Sequence, residues 1–141
     1  PCTRAQAVTF LWRVFDAPDP YHKKSPYTDI FEDAYFYKPV LWSFENGITY
    51  GTDYTHFSPE QTVTRGQFVT YLWRCVGEPD VEYKNYFTDV DDNSYYANAI
   101  CWAVENGIAY GTSEDCFSPE SPCTRGQIVT FLYRIFSSQE S

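Results

Sequence analysis

The sequence predicts an all-α protein built from tandem helix–loop–helix repeats. Residues 27–76 align with residues 87–136 without a gap, at an offset of 60 residues. Residues 1–16 match only the last part of this unit. Apolar residues recur at helical spacing within each unit, and Gly and Pro interrupt the pattern at the same points. Because two short helices cannot enclose a core alone, the units are expected to pack on one another.

The first repeat is incomplete, because the helix and loop that should precede Pro1 are absent from the sequence. We therefore expect the chain to be a segment of a longer protein. Proline-rich spacers follow the incomplete repeat and the first full one, at residues 17–26 and 77–86. Exchange of an element between copies is a known route to dimers, so self-association through the incomplete repeat is expected.

The first helix of each full unit has one apolar face and a glycine at its end. In the last unit this face consists of Tyr96, Ala99, Ile100, Ala103 and Val104. Gly107 then supplies the left-handed residue that ends a helix, and Gly47 does so in the preceding unit.

The second helix of each unit begins with a capping motif. In the last unit Thr124 is a good N-cap residue, and Gln127, three positions later, completes a capping box. The apolar residues that follow spread around much of the helix: Ile128, Val129, Leu132, Ile135 and Phe136. Such a helix is usually buried in a bundle, so burial on most sides is predicted.

Composition excludes several classes of partner. The chain has 141 residues, a formal net charge of -9 and a pI of about 4.5. It cannot neutralise a run of nucleic-acid phosphates, and anionic lipid surfaces would repel it. The sequence lacks a stretch of about 18 apolar residues, so membrane insertion is not predicted. Aromatic residues make up 20% of the chain, which suits both buried interfaces and sugar-binding surfaces.

No metal site is predicted. The five cysteines include no CxxC pair, so a zinc site is not expected. Residues 89–94 resemble the start of a calcium-binding loop. The Gly at the sixth position of such a loop and the Glu at the twelfth are missing, since the twelfth position is Ile100.

No catalytic residue is predicted either. Paired carboxylates could act as a glycosidase acid and base, but no carboxylate stands apart from the repeat pattern, whereas an active site should occur once. His22 lies in a spacer and His56 in a loop, and neither has a Ser or Cys partner repeated at a fixed spacing. A catalytic domain elsewhere in the parent protein is compatible with this sequence.

An arginine occupies the first turn of every second helix: Arg4, Arg65 and Arg125. A cation is disfavoured there by the helix dipole, by some tenths of a kcal/mol. Free backbone N–H groups at a helix start attract anions, and a guanidinium fork matches a carboxylate or phosphate. A glycine after the arginine would let a ligand approach the backbone. Alternatively, each arginine pairs with an acidic neighbour such as Asp29 or Asp89. The residues alone leave both interpretations open.

The repeat motifs resemble the S-layer homology (SLH) family of bacterial cell-surface proteins. In the last unit these motifs read FTDV, YYANAI, WAVENGIAYGT, FSP and CTRGQIVTFLYR, in that order. The resemblance covers nearly the whole chain. Two features depart from the family pattern. The helix start is TRAQ or TRGQ instead of TRAE, and Tyr35 and Tyr95 stand where the family has Trp.

The resemblance implies a binding module without catalysis or cofactor. Family members typically carry three repeats in a pseudo-threefold helical bundle, and they hold proteins non-covalently on the cell wall. The ligand is usually a secondary cell wall polysaccharide attached to peptidoglycan, often ending in a pyruvate-ketal sugar whose carboxylate is an anion. The implied location is extracellular, on the bacterial cell surface.

The resemblance also implies ligand contacts in grooves between adjacent repeats. Carried onto this sequence, the contacts are Arg4, Arg65, Arg125, Asp29, Asp89, Tyr35, Tyr95, Gly51 and Gly111. A second hypothesis is a helical protein-interaction or structural module, in which these arginines form only inter-repeat salt bridges and no glycan is bound.

Overall fold

The computed structural model describes residues 1–139 and contains five α-helices in that range. They are α1 (Arg4–Val14), α2 (Tyr37–Glu45), α3 (Arg65–Cys75), α4 (Ala97–Glu105) and α5 (Arg125–Gln139). Extended pairing within these residues consists of two isolated bridges, from Thr3 to Thr62 and from Thr64 to Pro122. The predicted all-α class is confirmed.

The packing units are offset from the sequence repeats. The chain divides into two compact units, one formed by residues 2–63 and one that begins at Thr64. The first unit pairs α1 with α2, and the second pairs α3 with α4. Each unit therefore combines the second helix of one sequence repeat with the first helix and loop of the next. Pseudo-threefold packing of the repeats stays a prediction.

The second helices begin as the capping motif predicts. Thr3 and Thr64 are N-cap residues in extended conformation, and each forms a complete capping box with the Gln three positions later. The same reciprocal pair of hydrogen bonds joins Thr124 and Gln127, both at 3.1 Å. Each box satisfies backbone donors that a helix start leaves open.

The first helices end at the predicted glycines. Gly47 and Gly107 both have a φ of 69°, in the left-handed region that only glycine adopts without strain. The predicted apolar face of α4 is buried at Ala99, Ile100 and Ala103. These two features fix the direction in which the chain enters the loop that follows.

Helix α5 departs from the prediction of burial on most sides. Ile128, Leu132 and Ile135 are buried, whereas Val129 is 56% exposed and Tyr133 is 72% exposed. The residue equivalent to Val129 in α3 is fully buried. The spacing of apolar residues shows which faces of a helix are suited to burial. Whether a face is buried depends on a neighbouring element that packs against it.

Candidate functional site

Arg65 is buried in the second unit, where the loop of the following repeat binds its guanidinium. The side chain is 4% exposed. Its Nε donates to the carbonyl oxygen of Phe117 at 3.0 Å, and its Nη2 donates to that of Tyr110 at 2.8 Å. Cζ lies 4.5 Å from the centroid of the Phe117 ring, within cation–π range. These bonds leave Nη1 as the guanidinium nitrogen available to a ligand.

Arg4 has the same surroundings in the first unit. It is also 4% exposed, and it donates to the carbonyl oxygens of Phe57 and Tyr50 at 3.0 and 2.8 Å. Its Cζ lies 4.7 Å from the Phe57 ring centroid. The arginine that looked misplaced at a helix start therefore has a structural role, because it joins that helix to the next loop.

The backbone donors at the start of α3 are also used by this loop. The N–H of Arg65 donates to Ser121 O at 2.9 Å, and the N–H of Gly66 donates to Pro119 O at 2.8 Å. The same bonds recur in α1, from Arg4 to Gln61 and from Ala5 to Pro59, at 2.8 and 3.1 Å. The starts of α1 and α3 therefore bind loop carbonyl groups with the donors that would otherwise attract an anion.

Asp89 and Asp29 bind backbone N–H groups of the loops whose carbonyl groups bind Arg65 and Arg4. The Asp89 carboxylate accepts hydrogen bonds from the N–H groups of Phe117 and Ser118, both at 2.9 Å. Asp29 accepts the equivalent two bonds in the first unit, both at 2.8 Å. Ser118 has a φ of 59°, unfavourable for a residue with a side chain. These carboxylates stabilise a strained turn.

Burial lowers the pKa of Arg65, and the charge of Asp89 partly opposes that effect.

An open cleft lies beside Arg65 in the second unit, with a volume of about 550 Å³. This size is typical of ligand sites. Its described lining includes Arg65 and a second arginine, Arg134, and contains no acidic side chain. In a chain with a net charge of -9, two cations without a carboxylate form a local positive site.

Arg134 comes from α5 and was missed in the sequence analysis. Its Nη1 donates to Ile108 O at 3.3 Å, and its Cζ lies 4.7 Å from the Tyr110 ring centroid. A signal for it exists in the sequence, because an arginine recurs nine positions after the first one in every second helix: Arg13, Arg74 and Arg134.

The start of α5 also faces this cleft. Thr124, Gly126 and Gln127 belong to its lining. A Cβ built at Gly126 would meet no atom closer than the Thr124 Oγ1 at 3.9 Å, so a ligand is able to approach this backbone. The cleft therefore brings together an arginine of one repeat and the helix start of the next, a combination suited to an anion.

Glycines of the loop have a packing role in addition to any contact with a ligand. Gly111 lines the cleft. A Cβ there would lie 2.6 Å from the carbonyl oxygens of both Ser113 and Cys116. A Cβ at Gly51 would lie 2.3 Å from His56 O in the first unit. Glycine is therefore required for the loop to close, whether or not a ligand is bound.

The remaining predicted contacts are not brought into this cleft. Tyr35 and Tyr95 are 59% and 56% exposed. Each packs edge-on against the aromatic residue after it, which is buried: Phe36 and Tyr96, with ring centroids 5.1 Å apart in both pairs. Arg125 is exposed at the start of α5. Ligand binding by these residues stays a prediction.

Comparison with known proteins identifies the repeated segment. A family model described as the S-layer homology domain matches residues 26–69 and 86–129. Together these two segments cover more than half of the chain. Each segment starts one residue before a full repeat and ends within the first turns of the second helix of that repeat.

Several relatives are cell-surface proteins. The chain is 30% identical to a cell surface protein of Thermoanaerobacter kivui over 115 residues, which is 78% of this chain and 15% of that protein. It is 31% identical to a surface-layer 125 kDa protein of Lysinibacillus sphaericus, over 64% of this chain and 8% of that protein. An endoglucanase of Bacillus sp. strain KSM-635 matches 82% of this chain at 30% identity, over 12% of its own length. The chain thus spans a small part of each of these relatives.

Residues 1–139 contain neither a membrane-spanning helix nor a cluster of metal ligands. No helix there combines the length and apolar character needed to cross a bilayer. Over the same residues, no three His, Cys, Asp or Glu side chains form a cluster that could hold a metal ion.

Proposed function

Because the chain belongs to the S-layer homology domain family, we propose that it anchors its parent protein by binding an anionic cell-wall polysaccharide in the cleft beside Arg65. The chain is an extracellular module of the bacterial cell surface, in keeping with the cell-surface and surface-layer proteins among its relatives. The observation that carries the proposal is the convergence of Arg65, Arg134 and the open start of α5 in one cleft without acidic lining.

The cleft is suited to a sugar that carries a carboxylate, such as a pyruvate ketal. The Nη1 of Arg65 and the guanidinium of Arg134 attract the charge, and charge-assisted hydrogen bonds of this kind are roughly twice as strong as neutral ones. The backbone at Gly126 is open to the same group. Hydroxyl groups of Thr112 and Thr124 border the cleft and are able to bind sugar hydroxyls.

The proposed role is non-catalytic. The polar motifs recur in register in successive repeats, whereas chemistry at an active site requires one arrangement of groups. The endoglucanase relative is matched over only 12% of its length. We infer that this chain supplies attachment, and that any enzymatic activity of a parent protein would reside in another domain.

Substitution of Arg134 tests the cleft. Purified cell wall that carries its polysaccharides is expected to sediment the wild-type chain. Wall stripped of these polymers with hydrofluoric acid is not expected to do so. Arg134→Gln and Gly126→Glu are each expected to weaken binding at least roughly tenfold, because a charge-assisted hydrogen bond contributes about 1.5–3 kcal/mol.

Lys38→Gln is the matched control for loss of one positive charge. Lys38 is 61% exposed, pairs with Asp19 at 3.1 Å and belongs to the first unit. This variant should bind wall as the wild type does. Binding that survives removal of the polymers, or that is unchanged in both cleft variants, would contradict the proposal.

A second candidate function, protein interaction, is favoured by the exposed face of α5. Val8 in α1 and Val69 in α3 are fully buried, whereas the equivalent Val129 in α5 is 56% exposed. Helices α1 and α3 each contact the first helix of the following repeat, α2 and α4 respectively. We propose that the α5 face binds the first helix and loop of another such repeat, supplied either in the same chain or by a second copy.

Adding the proposed occupant tests this interaction. Pro1–Arg4 match Pro122–Arg125 in the repeat pattern, so a copy of residues 77–121 placed before Pro1 completes the first repeat in register. In the extended chain, amide hydrogens of α5 are expected to exchange at least roughly tenfold more slowly than in the 141-residue chain.

Val129→Asp provides the control for this experiment. It should be tolerated in the 141-residue chain, where the site is exposed, and should remove the added protection in the extended chain. A dimer of the 141-residue chain that Val129→Asp dissociates would identify a second copy as the occupant. Equal exchange in the two chains, with no dimer, would disprove the interaction.

A further inference from the structure

A second cavity, of about 530 Å³, lies in the first unit and is lined mainly by aromatic rings. The aromatic residues of this lining are Tyr27, Phe44, Tyr50 and Tyr54, and Asp53 is its acidic residue. A mostly apolar pocket of this size with a few polar groups is typical of small-molecule sites. None of the lining residues of the cleft beside Arg65 belongs to this cavity.

Three of the four aromatic residues that line the cavity pack against one another. Tyr27 and Phe44 meet edge-to-face with centroids 5.7 Å apart, and Phe44 and Tyr50 do so at 6.5 Å. Tyr27 is 6% exposed, and its ring also packs against Phe57 with centroids 5.7 Å apart. A ligand would therefore meet three rings that are already packed in place, which lowers the entropic cost of binding.

The rim of the cavity carries exposed polar and aromatic groups. Tyr54 is 98% exposed, so its ring is accessible to a ligand at the rim. Hydrogen bonds from Thr55 and His56 lower the pKa of Asp53 to about 2. The carboxylate is therefore ionised at neutral pH, where it accepts hydrogen bonds from hydroxyl groups and repels anions.

We propose that this cavity binds a neutral pyranose ring of a glycan, with the apolar face of the sugar against the tyrosine and phenylalanine rings and a hydroxyl group on Asp53. A tyrosine ring suits such a ligand because it combines an apolar face with a polar edge. The proposal rests on the proposed glycan-binding function, since it places an uncharged sugar in the first unit and the anionic sugar in the cleft beside Arg65.

The size of the cavity argues against a small cation. A quaternary ammonium group also binds to aromatic rings with an acidic residue nearby, but it would fill only a small part of about 530 Å³. A pyranose ring with its hydroxyl substituents is larger and occupies more of such a space. Choline is therefore included in the experiment as the competing occupant.

The second repeat supplies a variant of this cavity that is compatible with the fold. Val104 and Glu114 occupy the positions of Phe44 and Tyr54 in that repeat. The double variant Phe44→Val, Tyr54→Glu therefore carries side chains that the equivalent helix and loop accommodate in the last repeat. Tyr21→Glu is its matched control, because Tyr21 is 93% exposed in the first unit and does not line the cavity.

The experiment is saturation-transfer-difference NMR with the neutral disaccharides cellobiose and chitobiose and with choline chloride as separate probes. We expect at least one disaccharide to receive saturation from the wild type and from Tyr21→Glu. The double variant should reduce that signal at least roughly tenfold, equivalent to about 1.4 kcal/mol, because it removes two of the four aromatic rings that line the cavity. Circular dichroism and a cooperative melt establish that the variant is folded.

Three outcomes would overturn the inference: no signal with either disaccharide, an unchanged signal in the double variant, or a signal with choline alone. The Arg134→Gln variant separates this inference from the proposed function, because it should lose wall binding and keep the disaccharide signal. A wild-type chain that binds a disaccharide but does not sediment with wall would support the cavity and contradict the anionic cleft.

Discussion

Replacing Arg65 with alanine is expected to lower the free energy of unfolding of the second unit by about 3–5 kcal/mol. The substitution removes the donors that bind the carbonyl oxygens of Phe117 and Tyr110. It also removes the cation from the Phe117 ring. A buried carbonyl group without a partner costs the free energy of its desolvation, about 1–3 kcal/mol. Native-state hydrogen exchange at α3 amides measures the effect within this unit.

Arg125→Ala is the matched control, because the same motif places Arg125 at the start of α5, where the residue is exposed. Its cost is expected to stay within about 0.5 kcal/mol, as for most surface substitutions. Arg65→Lys should recover only part of the loss, since an ammonium group cannot reproduce the planar fork that reaches both carbonyl oxygens. Equal effects of Arg65→Ala and Arg125→Ala would mean that the buried contacts of Arg65 contribute little.

Asp29→Asn is expected to destabilise the first unit by about 2–3 kcal/mol. The two carboxylate oxygens accept hydrogen bonds from the N–H groups of Phe57 and Ser58, both at 2.8 Å. An amide side chain offers one oxygen and turns an NH₂ group toward the other backbone donor. The lost hydrogen bond belongs to a turn in which Ser58 has a φ of 61°. The substitution therefore also removes an interaction that stabilises this strained backbone conformation.

Asp33→Asn serves as the control for this substitution, because Asp33 is an exposed carboxylate shortly before α2. It removes the same charge from the same unit and is expected to change the stability by no more than about 0.5 kcal/mol. Hydrogen exchange at α1 and α2 amides provides the measurement. Similar values for the two variants would show that charge, and not the geometry at Phe57, determines the effect.

Much of this structure could be predicted from local sequence. The capping boxes at Thr3 and Thr64 and the left-handed Gly47 and Gly107 were all predicted correctly. Each of these features depends on residues within one turn of the chain, so the sequence pattern contains the cause directly. The family was likewise identifiable from its motifs, since a match in order across two repeats does not require knowledge of the packing.

The partners of the charged residues that recur in each repeat could not be predicted in the same way. From sequence, Arg65 was expected either to meet a ligand or to pair with Asp89. In the structure Arg65 donates to two carbonyl oxygens and Asp89 accepts from two amide groups of the same loop, so the two side chains bind the backbone and not each other. Ligand binding by Arg65 stays a prediction. Backbone groups are identical at every position, so no pattern of side chains indicates that a carbonyl oxygen some 50 residues away will be the partner.

The sequence by itself determined the helices, their ends, the repeat and the family, because these depend on contacts between residues close along the chain. Only the tertiary structure decided that the second helix of one repeat packs with the first helix of the next, as α3 does with α4. In the folded unit Arg65 is buried, Arg134 and the start of α5 lie at an open cleft, and one face of α5 is exposed. The physical reason is that a side chain becomes buried only when a second surface packs against it, whereas a sequence motif describes only one of the two surfaces.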